Sequence, residues 1–212
     1  MSIFKCPGSA ALPTISRVTC YESFGQIQKV IFQRLIKATG TRNSISKAQI
    51  VSLASWQPLL TAADSTKIAV SLYIEAPTSE AGAPRTFGGG NDTLGGIEMI
   101  VGREHTTFTG VLRRLPQSVI KELKELQCES WGDNLGVYLI DENGAIECNV
   151  EDDQCYPIPI RSLFIGDKTH GGYEAPDSNT IQWAFLPNFS DNIQIITPEF
   201  NPLTDLVVGE ED

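Results

Sequence analysis

The chain has 212 residues, of which 41% are hydrophobic and 20% are charged, and its formal net charge is −10. That composition suffices for one sizeable folded domain, but so acidic a chain is poorly suited to gripping nucleic-acid phosphates or anionic membrane lipids. No apolar run approaches the ~20 residues that span a bilayer, and the first residues lack the apolar region of a signal peptide. We therefore expect folding in a cytosol, where the five cysteines would remain free thiols: Cys6, Cys20, Cys128, Cys148 and Cys155.

The N-terminal region predicts an irregular arm followed by a strand. Residues 1–16 are rich in Pro, Ser and small side chains, which is typical of an arm without regular structure. Residues 18–36 contain alternating polar and β-branched or aromatic side chains, which favours a strand. A helix is the alternative, because four residues also fit a 3.6-residue period: Ile27, Val30, Ile31 and Arg34.

A short helix is predicted after the loop that begins at Gly40. Ser46 and Gln49 have the spacing of a capping box, in which a hydroxyl and an amide satisfy free backbone N–H groups. The predicted helix covers residues 47–57, with Trp56 near its end. Pro58 should limit it, because proline cannot donate the helical hydrogen bond.

The next segments predict a strand and then a long loop. The predicted strand covers residues 67–75 and places four apolar side chains on one face: Ile68, Val70, Leu72 and Ile74. Residues 76–96 are rich in glycine and nearly devoid of apolar side chains, which is typical of a long mobile loop.

The second half predicts short strands around one clear helix. Three apolar residues at helical spacing, preceded by Pro116, predict that helix over residues 117–127: Val119, Leu123 and Leu126. Asn143-Gly144 supplies the backbone geometry of a tight hairpin turn. From residue 198 the chain is predicted to be irregular, and its acidic end, residues 209–212, to be disordered. The predicted strands cover residues 97–101, 106–113, 135–140, 145–150, 158–165, 180–186 and 193–197.

These elements predict a mainly β fold, an antiparallel sandwich or barrel with one or two short α-helices. We expect a single β-rich domain over residues 17–197 that carries the Gly-rich loop of residues 76–96. The irregular arm of residues 1–16 and the acidic tail of residues 198–212 would flank it.

No set of residues predicts catalysis or the binding of a metal or cofactor. The glycine-rich residues 88–96 lack the lysine of a phosphate-binding loop, and a predicted strand follows them where a helix is required. His105 and His170 fall in separate predicted turns, which disfavours both a catalytic triad and a metal site. We therefore expect no catalytic, cofactor-binding or metal-binding residues, and a protein that is not an enzyme.

The cysteines, the acidic turn and the tryptophans have simpler interpretations. Cys148 and Cys155 lack the paired spacing of a zinc site, although a site with a distant histidine is an alternative. The acidic residues 151–153 lack the alternation of a calcium loop, which favours a solvated turn. The tryptophans are interpreted as core or interface anchors: Trp56, Trp131 and Trp183.

Three stretches resemble structural proteins encoded by tailed phages and prophages of Bacteroides-type gut bacteria. They are GQIQKVIFQR at residues 25–34, RTFGGGN at residues 85–91 and IPIRSLFIGDK at residues 158–168. The layout is similar to that of the tail-tube protein family, which combines a β-sandwich or barrel, one packed helix, a long loop and extended terminal arms.

The resemblance implies a virion protein, assembled in the cytoplasm of a bacterial host, that forms stacked hexameric rings. Its partners would be further copies of itself and other phage tail or connector proteins, with no membrane partner. DNA would pass through an acidic lumen without specific binding, because like charges repel. Two alternatives remain open. One is a head–tail connector, tail terminator or capsid decoration protein, and the other is a carbohydrate-binding sandwich that uses Trp131 or Trp183.

Overall fold

The computed structural model describes residues 14–20 and 22–207, and within them regular structure is mainly antiparallel β. The two α-helices of this part are α1 (Leu53–Leu60) and α2 (Gln117–Trp131), and short 3-10 helices occur at Leu94–Gly96 and Phe189–Asn192. Its strands are β1 (Ile27–Arg34), β2 (Ile45–Ser46), β3 (Ile68–Val70), β4 (Glu75–Glu80), β5 (Pro84–Phe87), β6 (Met99–Arg103), β7 (Thr106–Arg113), β8 (Leu135–Asp141), β9 (Ile146–Glu151), β10 (Gln154–Tyr156), β11 (Ile158–Ile165), β12 (Ser178–Phe185) and β13 (Ile193–Ile196). The prediction of a mainly β, antiparallel fold with one or two helices is confirmed.

Eleven of these strands form one branched sheet. Its main path runs β2-β10-β9-β8-β11-β12-β7-β4. β1 pairs with β8 on one side and β3 on the other, while β13 pairs with β9. β5 and β6 pair only with each other in the described chain and form a separate two-stranded sheet. The branch at β8 places β1 and β8 at the centre of the molecule.

Two hydrophobic cores lie on opposite faces of β1 and β8. The first core is enclosed by α2 and strands β7, β8, β11 and β12, and Trp183 stacks on Phe108 within it with ring centroids 4.0 Å apart. The second core is covered by α1 and the C-terminal segment, and Trp56 meets Tyr138 edge-on at 5.3 Å. Successive side chains of a strand point to opposite faces, so both strands contribute to both cores.

The N-terminal strand prediction is confirmed, although the strand is shorter than predicted. β1 begins at Ile27, and the described part of residues 18–26 forms no strand. β1 contributes Val30 and Phe32 to the first core and Ile31 to the second. Because β1 is buried on both faces, apolar residues occur at successive positions. The apolar pattern alone therefore could not distinguish a strand from a helix.

The predicted helix over residues 47–57 is wrong in its position. Ser46 Oγ bonds to the side chain of Gln49 at 3.0 Å, and the backbone N–H groups of Gln49 and Ile50 donate to the Ser46 carbonyl. These bonds close a turn, and α1 begins only at Leu53. Pro58 lies inside α1, where it removes the one hydrogen bond that its own N–H would have donated.

The strand predicted over residues 67–75 divides into β3 and the start of β4. Ser71 Oγ accepts the Val30 N–H at 2.9 Å and donates to the Leu72 carbonyl at 2.9 Å. The Ser71 hydroxyl thus takes the place of a backbone carbonyl as acceptor, and the regular alternation of buried and exposed side chains is interrupted there. Leu72 is exposed while Ile74 is buried. The prediction of one shared apolar face is therefore wrong beyond Val70.

The later elements follow the prediction closely. β7 and β11 have the predicted bounds, and α2 runs four residues further than predicted, to Trp131. The β8–β9 hairpin closes on Asp141, whose Oδ1 accepts backbone N–H groups from Asn143 and Ala145, with Gly144 at φ 79°. The acidic residues 151–153 form the β9–β10 turn, with Asp152 and Asp153 both at positive φ.

The C-terminal segment is irregular, as predicted, but it is packed against the domain. Leu206 is buried in the second core, and Lys29 Nζ donates to the Leu203 carbonyl at 2.7 Å. The acidic end at residues 209–212 and most of the predicted N-terminal arm, residues 1–13, lie outside the described residues. Neither helix of the described chain combines the length and apolarity that crossing a membrane requires.

Candidate functional site

A two-stranded arm, residues 81–105, extends from the sheet beyond β4 and β7. β5 and β6 pair within it, and no residue between Ile74 and Phe108 is buried. A two-stranded hairpin is marginally stable alone, and a segment with many exposed apolar side chains is typical of an interaction site. The arm is therefore the clearest candidate interaction surface. Six of its apolar side chains are about half or more exposed: Phe87, Leu94, Ile97, Met99, Ile100 and Val101.

Backbone contacts and polar side chains hold the base of the arm. The Glu104 N–H donates to the Ala83 carbonyl at 2.8 Å, and Arg103 Nη1 donates to Asn188 Oδ1 at 2.7 Å. A Cβ atom on Gly82 would lie 2.0 Å from the Glu104 carbonyl oxygen, so the two strands approach this closely only with glycine there. Because no arm residue is buried, the arm can be altered without disturbing either core.

The tip of the arm is an ordered turn. Gly88, Gly89 and Gly90 have positive φ values. Thr93 Oγ1 accepts the Gly89 N–H at 3.0 Å and donates to the Ile97 carbonyl at 2.8 Å, which fixes both ends of the turn. A three-residue 3-10 turn, Leu94–Gly96, and then β6 follow the glycines, which therefore do not precede an α-helix as in a phosphate-binding loop. The loop predicted over residues 76–96 in fact contains β4, β5 and this turn.

The two histidines lie apart from each other. His105 is exposed at the base of the arm, whereas His170 lies in an exposed loop with Nδ1 3.2 Å from Asp177 Oδ1. Among the residues that the structure describes, no three His, Cys, Asp or Glu side chains are grouped so as to hold a metal ion.

Cys148 and Cys155 meet inside the second core. Cys155 pairs with Val150 across the β9–β10 hairpin, so Cys148 lies diagonally beside it on the same face. A hydrogen bond to Cys155, reinforced by burial, raises the pKa of Cys148 well above its usual range. The thiol therefore stays protonated at neutral pH and is a poor nucleophile. The four described cysteines are free thiols, with Cys20 and Cys128 exposed and Cys6 outside the described residues.

The three tryptophans separate into two buried and one exposed. Trp56 and Trp183 are buried, one in each core, which agrees with their interpretation as anchors. Trp183 therefore cannot serve as a glycan platform, and that part of the carbohydrate-binding alternative is wrong. Trp131, at the end of α2, is 75% exposed and remains available.

Trp131 forms the edge of a shallow aromatic cleft of about 530 Å³. Phe164, which is 54% exposed, lines the same cleft. A β-bulge in β11 at Ser162, whose φ is 55°, lets Arg161 and Phe164 both face solvent. Arg161 Nε lies 3.2 Å from Asp133 Oδ1, so a charged pair adjoins the two rings.

Sequence reasoning missed the exposure of the apolar residues in the arm because it treated residues 97–101 as an ordinary strand of the domain. The available signal was the lack of alternation: Met99, Ile100 and Val101 are consecutive apolar residues, with glycines on both sides at positions 96 and 102. Such a run is typical of a strand buried on both faces or of one that awaits a partner.

Comparison with known proteins gives no indication of function, so the geometry of the arm and of the aromatic cleft is the main guide. A scan of the sequence against protein-family models finds no match, and a search of curated proteins finds none either.

Proposed function

We propose that the chain is a structural subunit of a phage virion, and specifically a tail-tube protein that self-associates into stacked rings. The observation that carries this proposal is the arm, whose six exposed apolar side chains need a partner surface. The resemblance of the three sequence stretches to phage structural proteins supports the virion assignment. The net charge of −10 is compatible with a lumen through which DNA slides without binding.

The energetics of the arm favour assembly through many simultaneous contacts. Full burial of a large apolar side chain contributes ~1.5–3 kcal/mol, so six side chains whose exposure ranges from about half to complete offer roughly 6–12 kcal/mol. Association itself costs about 4–15 kcal/mol. One arm contact is therefore weak, and we expect monomers at low concentration and cooperative assembly at high concentration.

The test is the assembly state of the purified chain and of an arm variant. Wild type, the double variant Phe87→Ser/Ile100→Ser and the control Tyr173→Ser are examined by light scattering over a range of concentrations and by negative-stain microscopy. Tyr173 is fully exposed and lies outside the arm, so its substitution removes an equivalent apolar side chain.

We expect rings or tubes from wild type and from the control, and monomers from the arm variant with an unchanged circular dichroism spectrum. Monodisperse monomers of wild type at high concentration would refute the tube proposal. Rings from the arm variant would refute the role of the arm while leaving self-association intact.

Other positions in the virion would use the same kind of surface. A head–tail connector, tail terminator or decoration protein differs from a tube protein in copy number. Quantitative mass spectrometry of purified virions separates them, because a tube subunit occurs in many rings and a terminator in one.

A carbohydrate-binding function is the second candidate, and the aromatic cleft is the observation that favours it. Exposed aromatic rings stack on the apolar faces of sugars, while Arg161 and Asp133 can bond to hydroxyl groups. A glycan-array screen of wild type and Trp131→Ala is the test. Binding that is lost in the variant supports this candidate, and wild-type binding at background level refutes it.

A further inference from the structure

A groove of about 770 Å³ lies between α2 and β3, and residues of β1 also line it. Phe32 and Leu135 form its floor, β3 forms one wall, and a stripe of α2 forms the other. The stripe consists of Val119, Glu122, Leu123, Leu126 and Glu129. The interior is largely apolar, which fits an apolar peptide segment and not a phosphate backbone.

One wall of this groove is an open strand edge. Among the described residues β3 pairs with β1 alone. The Ser71 N–H donates to the Val30 carbonyl at 2.8 Å, so residue 71 faces β1. In an antiparallel pair alternate residues face the partner, so Ala69 also faces β1, and the backbone polar groups of Ile68 and Val70 point into the groove. An unpaired edge of this kind accepts an added strand.

The charges at the two ends of the groove differ. Arg34 and Glu129 form an ion pair, which places the end of α2 beside the end of β1, and Gln33 pairs with Ile68. Lys67 and Asp64, which both line the groove, are therefore also at this end, where two cations and two carboxylates lie together. Glu122 precedes Glu129 by about two helical turns, roughly 10 Å, and lies towards the Leu72 end. Lys67 and Glu122 are both exposed.

β6 of the arm has a matching pattern. Glu98 precedes this strand and Arg103 ends it. The six residues from Glu98 to Arg103 span the same distance, roughly 17 Å, as the six from Lys67 to Leu72. A parallel alignment brings Glu98 to Lys67 and Arg103 towards Glu122, whereas the antiparallel alignment brings like charges together.

We propose that the groove between α2 and β3 receives the arm of a second copy of this chain, with β6 lying parallel to β3 along its open edge. This inference rests on the proposed self-association and assigns its contact surface. The contact is head-to-tail, since the arm and the groove are different surfaces, and such contacts generate rings or open filaments according to the rotation they impose.

A charge exchange between the two surfaces tests the proposal. Lys67→Glu gives a chain in which both surfaces are acidic at this contact, and Glu98→Lys gives one in which both are basic. Each variant alone should self-associate at least about fivefold more weakly than wild type, the effect of ~1 kcal/mol. In an equimolar mixture every arm meets a complementary groove, so assembly should return to within about twofold of wild type.

Lys121→Glu is the matched control, because Lys121 is exposed on α2 and does not line the groove. Its self-association should equal that of wild type. Analytical ultracentrifugation measures wild type, the three single variants and the mixture, and circular dichroism confirms that each is folded. A mixture that assembles no better than the single variants overturns the inference.

The outcomes separate this inference from the proposed function. If the arm variant Phe87→Ser/Ile100→Ser abolishes assembly and the charge variants leave it unchanged, the arm docks elsewhere and only the groove assignment fails. If wild type does not assemble at any concentration, the proposed function fails and the inference fails with it.

Val70→Pro tests the added strand itself. The Val70 N–H points into the groove, so proline there removes a donor from the open edge and spares the bonds to β1. We expect a folded chain whose self-association is lost or at least about tenfold weaker. Unchanged assembly of the folded variant would overturn the strand addition.

Discussion

Replacing Gly82 by alanine should loosen the base of the arm without destabilising the domain. The new Cβ would lie 2.0 Å from the Glu104 carbonyl oxygen and 2.4 Å from its carbon. Ordinary carbon–oxygen contacts are longer by more than about 1 Å, so the two strands must separate by a comparable distance. That movement breaks the 2.8 Å bond from the Glu104 N–H to the Ala83 carbonyl.

The expected size follows from that one bond. An exposed backbone hydrogen bond contributes about 1 kcal/mol, so exchange of the Glu104 amide hydrogen should accelerate roughly fivefold or more. Because no arm residue is buried, the free energy of global unfolding should change by less than ~0.5 kcal/mol. If the arm drives assembly as proposed, self-association should weaken as well.

Gly102→Ala is the matched control for this experiment. Gly102 is also in the arm, but the nearest atom to its added Cβ is Arg85 Cβ at 4.0 Å, which is an ordinary contact. Hydrogen exchange followed by mass spectrometry and urea denaturation measure the two effects. Unchanged exchange at Glu104 in Gly82→Ala, or equal acceleration in Gly102→Ala, would refute the reasoning.

Three further substitutions probe the domain itself, each measured by urea denaturation. Asp141→Ala should cost about 2–4 kcal/mol, because this buried carboxylate accepts backbone N–H groups from Gly25, Asn143 and Ala145, whereas Glu142→Ala should be near neutral. Ser71→Ala should cost about 1–3 kcal/mol by leaving the buried Val30 N–H without an acceptor; a loss no larger than that of exposed Ser118→Ala would contradict this. Burial raises the pKa of Glu147, so its contribution to stability is present below the unfolded pKa and is lost as pH rises through the folded pKa. Glu147→Gln should accordingly stabilise the chain relative to wild type at pH ~7.5 and not at pH ~4, with exposed Glu199→Gln as the control; a gain that does not depend on pH would exclude this explanation.

The sequence allowed good prediction of elements that are set by local chemistry. The bounds of β7 and β11 were predicted correctly, and the Asn143-Gly144 turn lies where the hairpin required it. α2 was found from its apolar spacing. These features depend on alternation, period and turn residues within a few positions, which is the information that a sequence carries most directly.

Tertiary context decided the elements that were missed. β2 and β10 are two and three residues long, too short for any periodic pattern, and form because each finds a neighbouring strand. The turn at residues 47–51 replaces the predicted helix because Ser46 bonds to the side chain of Gln49 and Trp56 Nε1 donates to the Ile50 carbonyl at 2.9 Å. No local rule anticipates that last contact.

The candidate site was predicted only in outline. The glycine-rich segment was predicted as a long loop, but its strands were not predicted, since strands without buried residues lack the apolar pattern. The groove forms where the open edge of β3 lies opposite α2. These two segments are about fifty residues apart in the chain, so no spacing in the sequence indicates the groove.

The position of β1 and β8 between the two cores has a consequence for how the chain folds. Neither core can form alone, because each requires strands that also bury side chains in the other. Denaturation should therefore be a single cooperative transition, and folding should be slow, since the hydrogen bond from Tyr138 to Gln33 joins residues 105 positions apart. A nascent chain would remain unfolded until β8 has been synthesised, so its arm is complete before the domain that carries it can fold.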